Sequence, residues 1–284
     1  MSQWPARLTI DSERVADLRR AAGATKAHAA APLLYTRMAA HVAPETVPQA
    51  LGVSPNSLRH AGHEWEILAP LQVGRTYEFT DWALVSDQTK PSRSGGSLRF
   101  AVFARNWTDE GGRPVQTERM TAVHMGVPAA ADRPPPVPSW PADRPGPAPR
   151  VVLDRPFDGA RPGDVVTEID AGWVDRAAIA SFGVLIGDLT AIHHDIAAAR
   201  AVGLPDVIAM GTFSAAKVLA VAEDRVDPDQ IHRCALRFHR TVLPGEPLRI
   251  VASAVPAAAG LTFRVDLQAA GELAVSATMR LRER

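Results

Sequence analysis

One cysteine, Cys234, is all that 284 residues contain, which excludes an internal disulfide and any cysteine-rich zinc or iron–sulfur centre and fits a reducing compartment. Charge of one sign is missing too. Lys and Arg number 31 against 31 Asp and Glu, so neither a nucleic-acid backbone nor an anionic membrane, both of which attract a basic excess, is expected as a main partner. Long apolar runs are absent as well. The opening MSQWPARLTIDSERVADLRR has no core of signal-peptide length. The apolar stretch 211–222 is broken by Ser214 and Lys217 and falls short of the roughly 20 residues of a membrane helix. A cytoplasmic protein is the expectation. No P-loop is visible, and Gly183 and Gly187 do not form a dinucleotide-binding turn after a strand. His60 and His63 have no third ligand at zinc spacing and read as polar residues of a strand edge. Neither a metal nor a redox cofactor is expected.

What is present is a chain 46% hydrophobic, long enough for one large domain or two ordinary ones with a substantial core. Residues 127–150 hold nine prolines and little apolar periodicity, so they read as a semi-extended strap over the surface. The expected division is a first half 1–126, a linker 127–150 and a second half 151–284. The order of elements repeats across the linker. An α-rich stretch (12–50, then 175–224) precedes a strand introduced by a glycine, Gly74 or Gly245, and a hairpin turning at 109–112 or 269–271.

The helix expectations rest on period and caps. Asp175 precedes Ile179, Phe182 and Leu185 or Ile186 at helical spacing, with Gly187 as the stop. Asp195 caps a segment closing at Gly203. Gly211 opens a helix with an apolar stripe through Phe213, Val218 or Leu219, and Ala222. Small alanines let a sheet wrap that helix closely. The fold class expected is α+β, an antiparallel sheet curled around a long central helix, present twice.

The segment GDLTAIHHDIAAARAVGLPDVIAMGTFSAA, 187–216, carries the chemistry. Asp188 and His193 lie five residues apart in an interhelical loop, where a turn can bring acid and base together. Gly211 adds a helix N-terminal amide. Carboxylate, imidazole and N–H donor are the components that activate water beside a carbonyl gaining negative charge.

The same stretch resembles the MaoC-like hydratase/dehydratase family, whose signature runs Gly-Asp-x-Asn-Pro-aliphatic-His-x-Asp. Here it reads Gly187-Asp188-Leu189-Thr190-Ala191-Ile192-His193-His194-Asp195, with Ala199 and Gly203 following. IAMGTFSAA resembles the family's Ile-Ala-His-Gly segment, and RFHRTVLPGEPL its Arg-Phe and Pro-Gly-Asp strand start. HAGHEWEILAPLQVGRTYEF and the hairpin after it resemble the first half of fused double-hotdog dehydratases. Three positions depart: Thr190 for Asn, Ala191 for Pro and Met210 for His. The resemblance implies a double hotdog with two long central helices and one site in the second half, no Asp/His pair being present in the first. It implies that Asp188 and His193 polarise one water that adds to C3 of a trans-2-enoyl thioester, or dehydrate a 3R-hydroxyacyl thioester in reverse. The enolate oxygen would meet the Gly211 amide, with Thr190 bonding substrate or water. Coenzyme A or an acyl carrier protein would carry the acyl group. The fused chain would act as a monomeric double hotdog or its homodimer.

Other readings stand beside these. Asp188 can be a turn residue and His193 a buried histidine bonded to a carbonyl. His194 reads as exposed and Asp195 as a helix cap. Ser214-Ala-Ala-Lys217 lacks a following Lys-Thr-Gly and reads as chance. Arg233, Arg237 and Arg240 suit either a solvated strand face or the phosphates of coenzyme A. An acyl-thioester binding subunit with weak catalysis, or a thioesterase in which water attacks the carbonyl carbon, uses the same residue types.

Overall fold

The computed structural model describes residues 7–36, 46–53, 58–92, 96–124, 140–157, 159–256 and 261–282. The first half contributes β1 (Arg7–Thr9), α1 (Ser12–Ala22), α2 (Thr46–Leu51), β2 (Leu58–Ile67), β3 (Thr76–Phe79), β4 (Ala83–Pro91), β5 (Ser97–Asp109) and β6 (Pro114–His124). The second contributes β7 (Arg150–Asp154), β8 (Val165–Gly172), α3 (Arg176–Ile186), α4 (Ile196–Ala201), α5 (Gly211–Glu223), β9 (Ile231–Phe238), β10 (Leu248–Pro256), β11 (Leu261–Ala269) and β12 (Glu272–Leu281). Among the described residues no helix is long and apolar enough to cross a membrane.

All twelve strands form one antiparallel sheet in the order β1-β3-β5-β6-β2-β9-β12-β11-β10-β8-β7, with β4 also on β5. Alternation explains its two faces. In β10, Leu248, Ile250, Ala252 and Ala254 are buried, while Arg249, Val251, Ser253 and Val255 between them are not. The halves join where β2 meets β9, from Gly62 opposite Arg237 to Glu66 opposite Arg233. β2 is thus an interior strand, and His60 and His63 are not at an edge. His63 is buried beside Trp65, Trp82 and Glu118.

The sheet curls around α5. Phe213, Val218, Leu219 and Ala222 are buried in the main core, and Ala215 and Ala216 keep the helix surface small. In the first half, α2 covers a smaller core of Val47, Leu51, Trp82, Ala101, Phe103, Met120 and Ala122. Of the stretch expected to hold the second central helix, Tyr35 and Thr36 are helical; residues 37–45 lie outside the described residues, as does 127–139 of the expected linker. Residues 140–149 lie against the second half, with Trp173 Nε1 donating to Arg144 O at 2.9 Å and Arg176 N to Ala142 O at 2.9 Å.

One rung crosses the seam and shows how the halves differ inside. Arg105, Glu118 and Trp65 are aligned in the first half, then Cys234, Met279 and Phe263 in the second. Where the second half is apolar, Glu118 is fully buried and accepts from Trp65 Nε1 at 2.9 Å, Trp107 Nε1 at 3.1 Å, Thr36 Oγ1 and Arg105 Nε. Burial alone would raise this carboxyl's pKa. Arg105, His63 and Thr36 outweigh that and hold it below the usual range.

Candidate active site

Three helix ends and two loops assemble the residues singled out in the sequence. α3 begins at its cap Asp175, whose side chain accepts from Ala178 N at 2.6 Å, and ends where Gly187 takes the left-handed conformation at φ 74°. That turn releases the chain into Asp188. Asp188 N donates back to Gly183 O at 2.9 Å. A Cβ on Gly183 would lie 2.8 Å from Asp188 O and 2.5 Å from Met210 Cε, so the glycine makes room for both the acid and the segment before α5. The packing of Gly183 depends on Met210, 27 positions away, and so leaves no local sequence signal.

A short 3-10 turn over Ala191–His193 then carries the imidazole inward, and Asp195 caps α4 through Ala197 N at 2.8 Å and Ala198 N at 3.1 Å. His193 is 8% exposed, while His194 beside it is exposed. His193 Nδ1 donates to Ile208 O at 2.7 Å, which fixes the neutral tautomer and leaves Nε2 as the acceptor. Nε2 faces Asp188 Oδ2 at 4.0 Å. Desolvation holds the His193 pKa below its ordinary value; His194 and Arg59 add to that, and the Ile208 carbonyl and Asp188 oppose it. Burial thus favours the neutral imidazole, the form a base requires.

Thr190 sits between the two. Its Oγ1 donates to Asp188 Oδ1 at 2.6 Å and its N–H to the same oxygen at 3.2 Å. The hydroxyl expected to bond substrate or water is engaged with the acid, and turns the other carboxylate oxygen toward His193.

The Ile208 carbonyl is held in its own right. Ile208 N donates to Ile192 O at 3.2 Å and Ala209 N to Val242 O at 2.9 Å. Asp206, buried, accepts from Arg176 Nε at 3.0 Å and from Arg176 Nη2, while Arg176 also grips Asp143. One arginine at the start of α3 thus pins the loop behind His193 and the strap at 140–149. Both carboxylates raise its pKa. The loop delivers Met210, buried, as the residue before α5, and Gly211 as its first residue. The opening N–H groups of a helix have no partner within it. Phe238 packs beside Gly211, 3.1 Å from where a Cβ would stand.

In the first half, Tyr35 N donates to Pro32 O at 2.8 Å, a turn bond like that of Phe213 N to Met210 O at 2.9 Å. The Leu33 N–H donates to Glu223 Oε1 at 3.0 Å in a buried contact from the far end of α5. Of the three arginines weighed as phosphate contacts, Arg233 pairs with Glu64 at 2.9 Å and Arg240 with Glu246 at 2.6 Å and Glu272 at 3.3 Å; Arg237 is exposed. Lys217 lies over the Phe213 ring at 5.1 Å within α5.

Comparison with known proteins bears on the fold. Residues 156–265 match the MaoC like domain family. A MaoC-like dehydratase structure superposes with a TM-score of 0.74 at 21% identity, covering 98% of this chain and 96% of that one. HtdX of Mycobacterium tuberculosis superposes at 0.63 with 22% identity over 96% and 97%. A conserved hypothetical protein of the same organism, essential for bacterial survival during infection and described as a double hotdog, superposes at 0.54 with 14% identity over 99% and 94%. No match is found among curated protein sequences.

Proposed function

Because residues 156–265 are a MaoC-like domain set in a double-hotdog fold, we propose that the chain is a hydro-lyase acting on acyl thioesters. It hydrates a trans-2-enoyl thioester, or dehydrates the 3R-hydroxyacyl thioester in reverse. The observation carrying this reading is the pairing of Asp188 Oδ2 with His193 Nε2 at 4.0 Å, with the imidazole proton on the opposite nitrogen. Two acceptors at that separation hold the two hydrogens of one water. The water oxygen bonds to C3 as its proton passes through the pair to C2, so the addition is neutral overall. During the step negative charge grows on the thioester oxygen. The first N–H of α5, at Gly211, and the positive end of the helix stabilise it there. Thr190 acts in this scheme as a positioning residue for Asp188. The carrier would be coenzyme A or an acyl carrier protein, in the cytoplasm, with one fused chain or its homodimer as the active unit.

Loss of the enoyl absorbance of crotonyl-coenzyme A, with chiral analysis of the product, tests the reading. The R-3-hydroxy product is expected, and His193→Ala or Asp188→Asn should lower kcat by about 10²–10⁴-fold, the usual contribution of general acid–base catalysis. Free thiol release without hydration would reassign the chain as a thioesterase. Binding without turnover would leave an acyl-thioester binding subunit, the reading favoured if Thr190, Ala191 and Met210, where the family has Asn, Pro and His, have disabled the site.

A further inference from the structure

The first turn of α5 carries a hydroxyl that the protein itself leaves idle. Thr212, the second residue of the helix, is 8% exposed, and its buried Oγ1 has no hydrogen-bond partner among the described residues. A helical threonine commonly turns its hydroxyl back to the carbonyl three or four positions earlier. Here those carbonyls belong to Ala209 and Ile208, and Ile208 O is engaged with His193 Nδ1 at 2.7 Å. The contact that fixes the base thus occupies the carbonyl that Thr212 would otherwise use. Side chains of an α-helix lean toward its N-terminus, so the hydroxyl is carried toward the open end of α5. Free amides stand at the same end. Phe213 N and Ser214 N both turn to Met210 O, at 2.9 and 3.3 Å, while Gly211 N and Thr212 N have no backbone acceptor among the described residues. Buried polar atoms are nearly always paired, and leaving one unpaired destabilises the fold. Valine would fill the same space without that cost, so packing does not account for the hydroxyl.

We propose that Thr212 is a catalytic residue whose hydroxyl donates to the thioester oxygen of the substrate, beside the Gly211 N–H. The proposal rests on the thioester reading above. In that reaction negative charge grows on one oxygen, and a carbonyl oxygen has two lone pairs to be met. Adjacent residues on one helix turn supply an N–H and an O–H for them, held in place before the charge appears. Both bonds strengthen as the oxygen becomes an enolate, because a charged acceptor binds a donor more tightly than a neutral one. Exclusion of bulk water from Thr212 raises their worth further.

The test compares the wild-type chain with Thr212→Val, which keeps the shape and removes the hydroxyl, and with Thr212→Ser, which keeps the hydroxyl. On crotonyl-coenzyme A, Thr212→Val should lower kcat by about 10–100-fold, the loss of one hydrogen bond to a charged oxygen, with KM little changed. Thr212→Ser should recover most of the rate. An unchanged kcat in Thr212→Val would overturn the proposal. Urea unfolding supplies a readout that a structural hydroxyl would move the other way. Thr212→Val should be at least as stable as the wild-type chain, since it buries no unpaired polar atom. A clear loss of stability would show the hydroxyl bonded within the protein and would overturn the proposal too. Acetoacetyl-coenzyme A, which cannot be hydrated and ionises to an enolate, reports the contact without turnover. The wild-type chain should strengthen the ultraviolet band of the bound enolate, and Thr212→Val should weaken it while affinity for butyryl-coenzyme A changes little. That pattern in a protein that never hydrates crotonyl-coenzyme A would sink the hydro-lyase reading and sustain the Thr212 assignment. Equal enolate bands in the two proteins would sink the assignment. A wild-type chain that neither hydrates the one thioester nor binds the other would overturn both.

Discussion

At the scale of single residues, the candidate site is an acid and a base held at a fixed separation by groups that never touch the substrate in the proposed reaction. Thr190 is the nearest of them, with both its hydroxyl and its amide on Asp188 Oδ1. Thr190→Val should lower kcat by about tenfold, a loss of roughly one neutral-to-charged hydrogen bond, with KM little changed and Thr190→Ser restoring activity. The pH profile separates this from a general loosening. Asp188 raises the His193 pKa, so an acid that has swung away leaves the imidazole easier to deprotonate. The wild-type acid limb should lie below pH 6.5, since desolvation already lowers that pKa, and in Thr190→Val it should move lower still. A limb that stays in place, or moves up, would remove Thr190 from this role.

At the scale of elements, legibility in the sequence followed the range of the interaction. Asp175, Gly187 and Asp195 announced their helix ends correctly because a cap is satisfied within a few residues of chain. The second hairpin was equally readable, and its turn holds Ala270 at φ 50° and Gly271 at φ 84°. The approach of Asp188 and His193 could be anticipated because the two lie close together in one interhelical loop. What could not be read depends on partners distant in sequence: that β2 is an interior strand, that Gly183 clears space for Met210, and that the Ile208 carbonyl fixes the tautomer of His193. The Arg176–Asp206 pair is the strongest such case, since it spans 30 positions and connects α3 to the loop behind the base. Arg176→Met leaves the buried Asp206 carboxylate without that partner and should destabilise the fold by about 2–4 kcal/mol. Urea unfolding measures the loss. The double variant Arg176→Met with Asp206→Leu should regain much of it, because no charge is then left buried and unpaired. A double variant no more stable than the single one would show that the pair's packing, not its charge, holds the loop.

At the scale of the whole molecule, the two halves are tied by more than the β2–β9 ladder. Asp224 at the end of α5 accepts from Thr25 N at 2.9 Å, Thr25 Oγ1 at 2.6 Å and Lys26 N at 2.9 Å. Arg282 Nη2 reaches back to Ile67 O at 2.7 Å. Glu223, next to Asp224, also belongs to this contact, its Oε1 accepting from Leu33 N at 3.0 Å. It lies 5% exposed at a helix C-terminus, where the macrodipole also disfavours a negative charge. Burial and Asp224 raise its pKa from 4.5 to about 7, against the opposing pull of the Leu33 N–H and Arg19. The sign follows from linkage. A carboxyl that binds its proton more tightly folded than unfolded stabilises the fold fully below pH 4.5, and that contribution fades as pH rises through about 7. Glu223→Gln keeps an oxygen for the Leu33 N–H and removes the charge. Its stability relative to the wild-type chain should therefore grow between pH 5 and pH 8 by about 2–3 kcal/mol, read from denaturant unfolding at the two pH values. An identical difference at both pH values would mean that the carboxyl does not titrate in this contact, and that the join between the halves is indifferent to its charge.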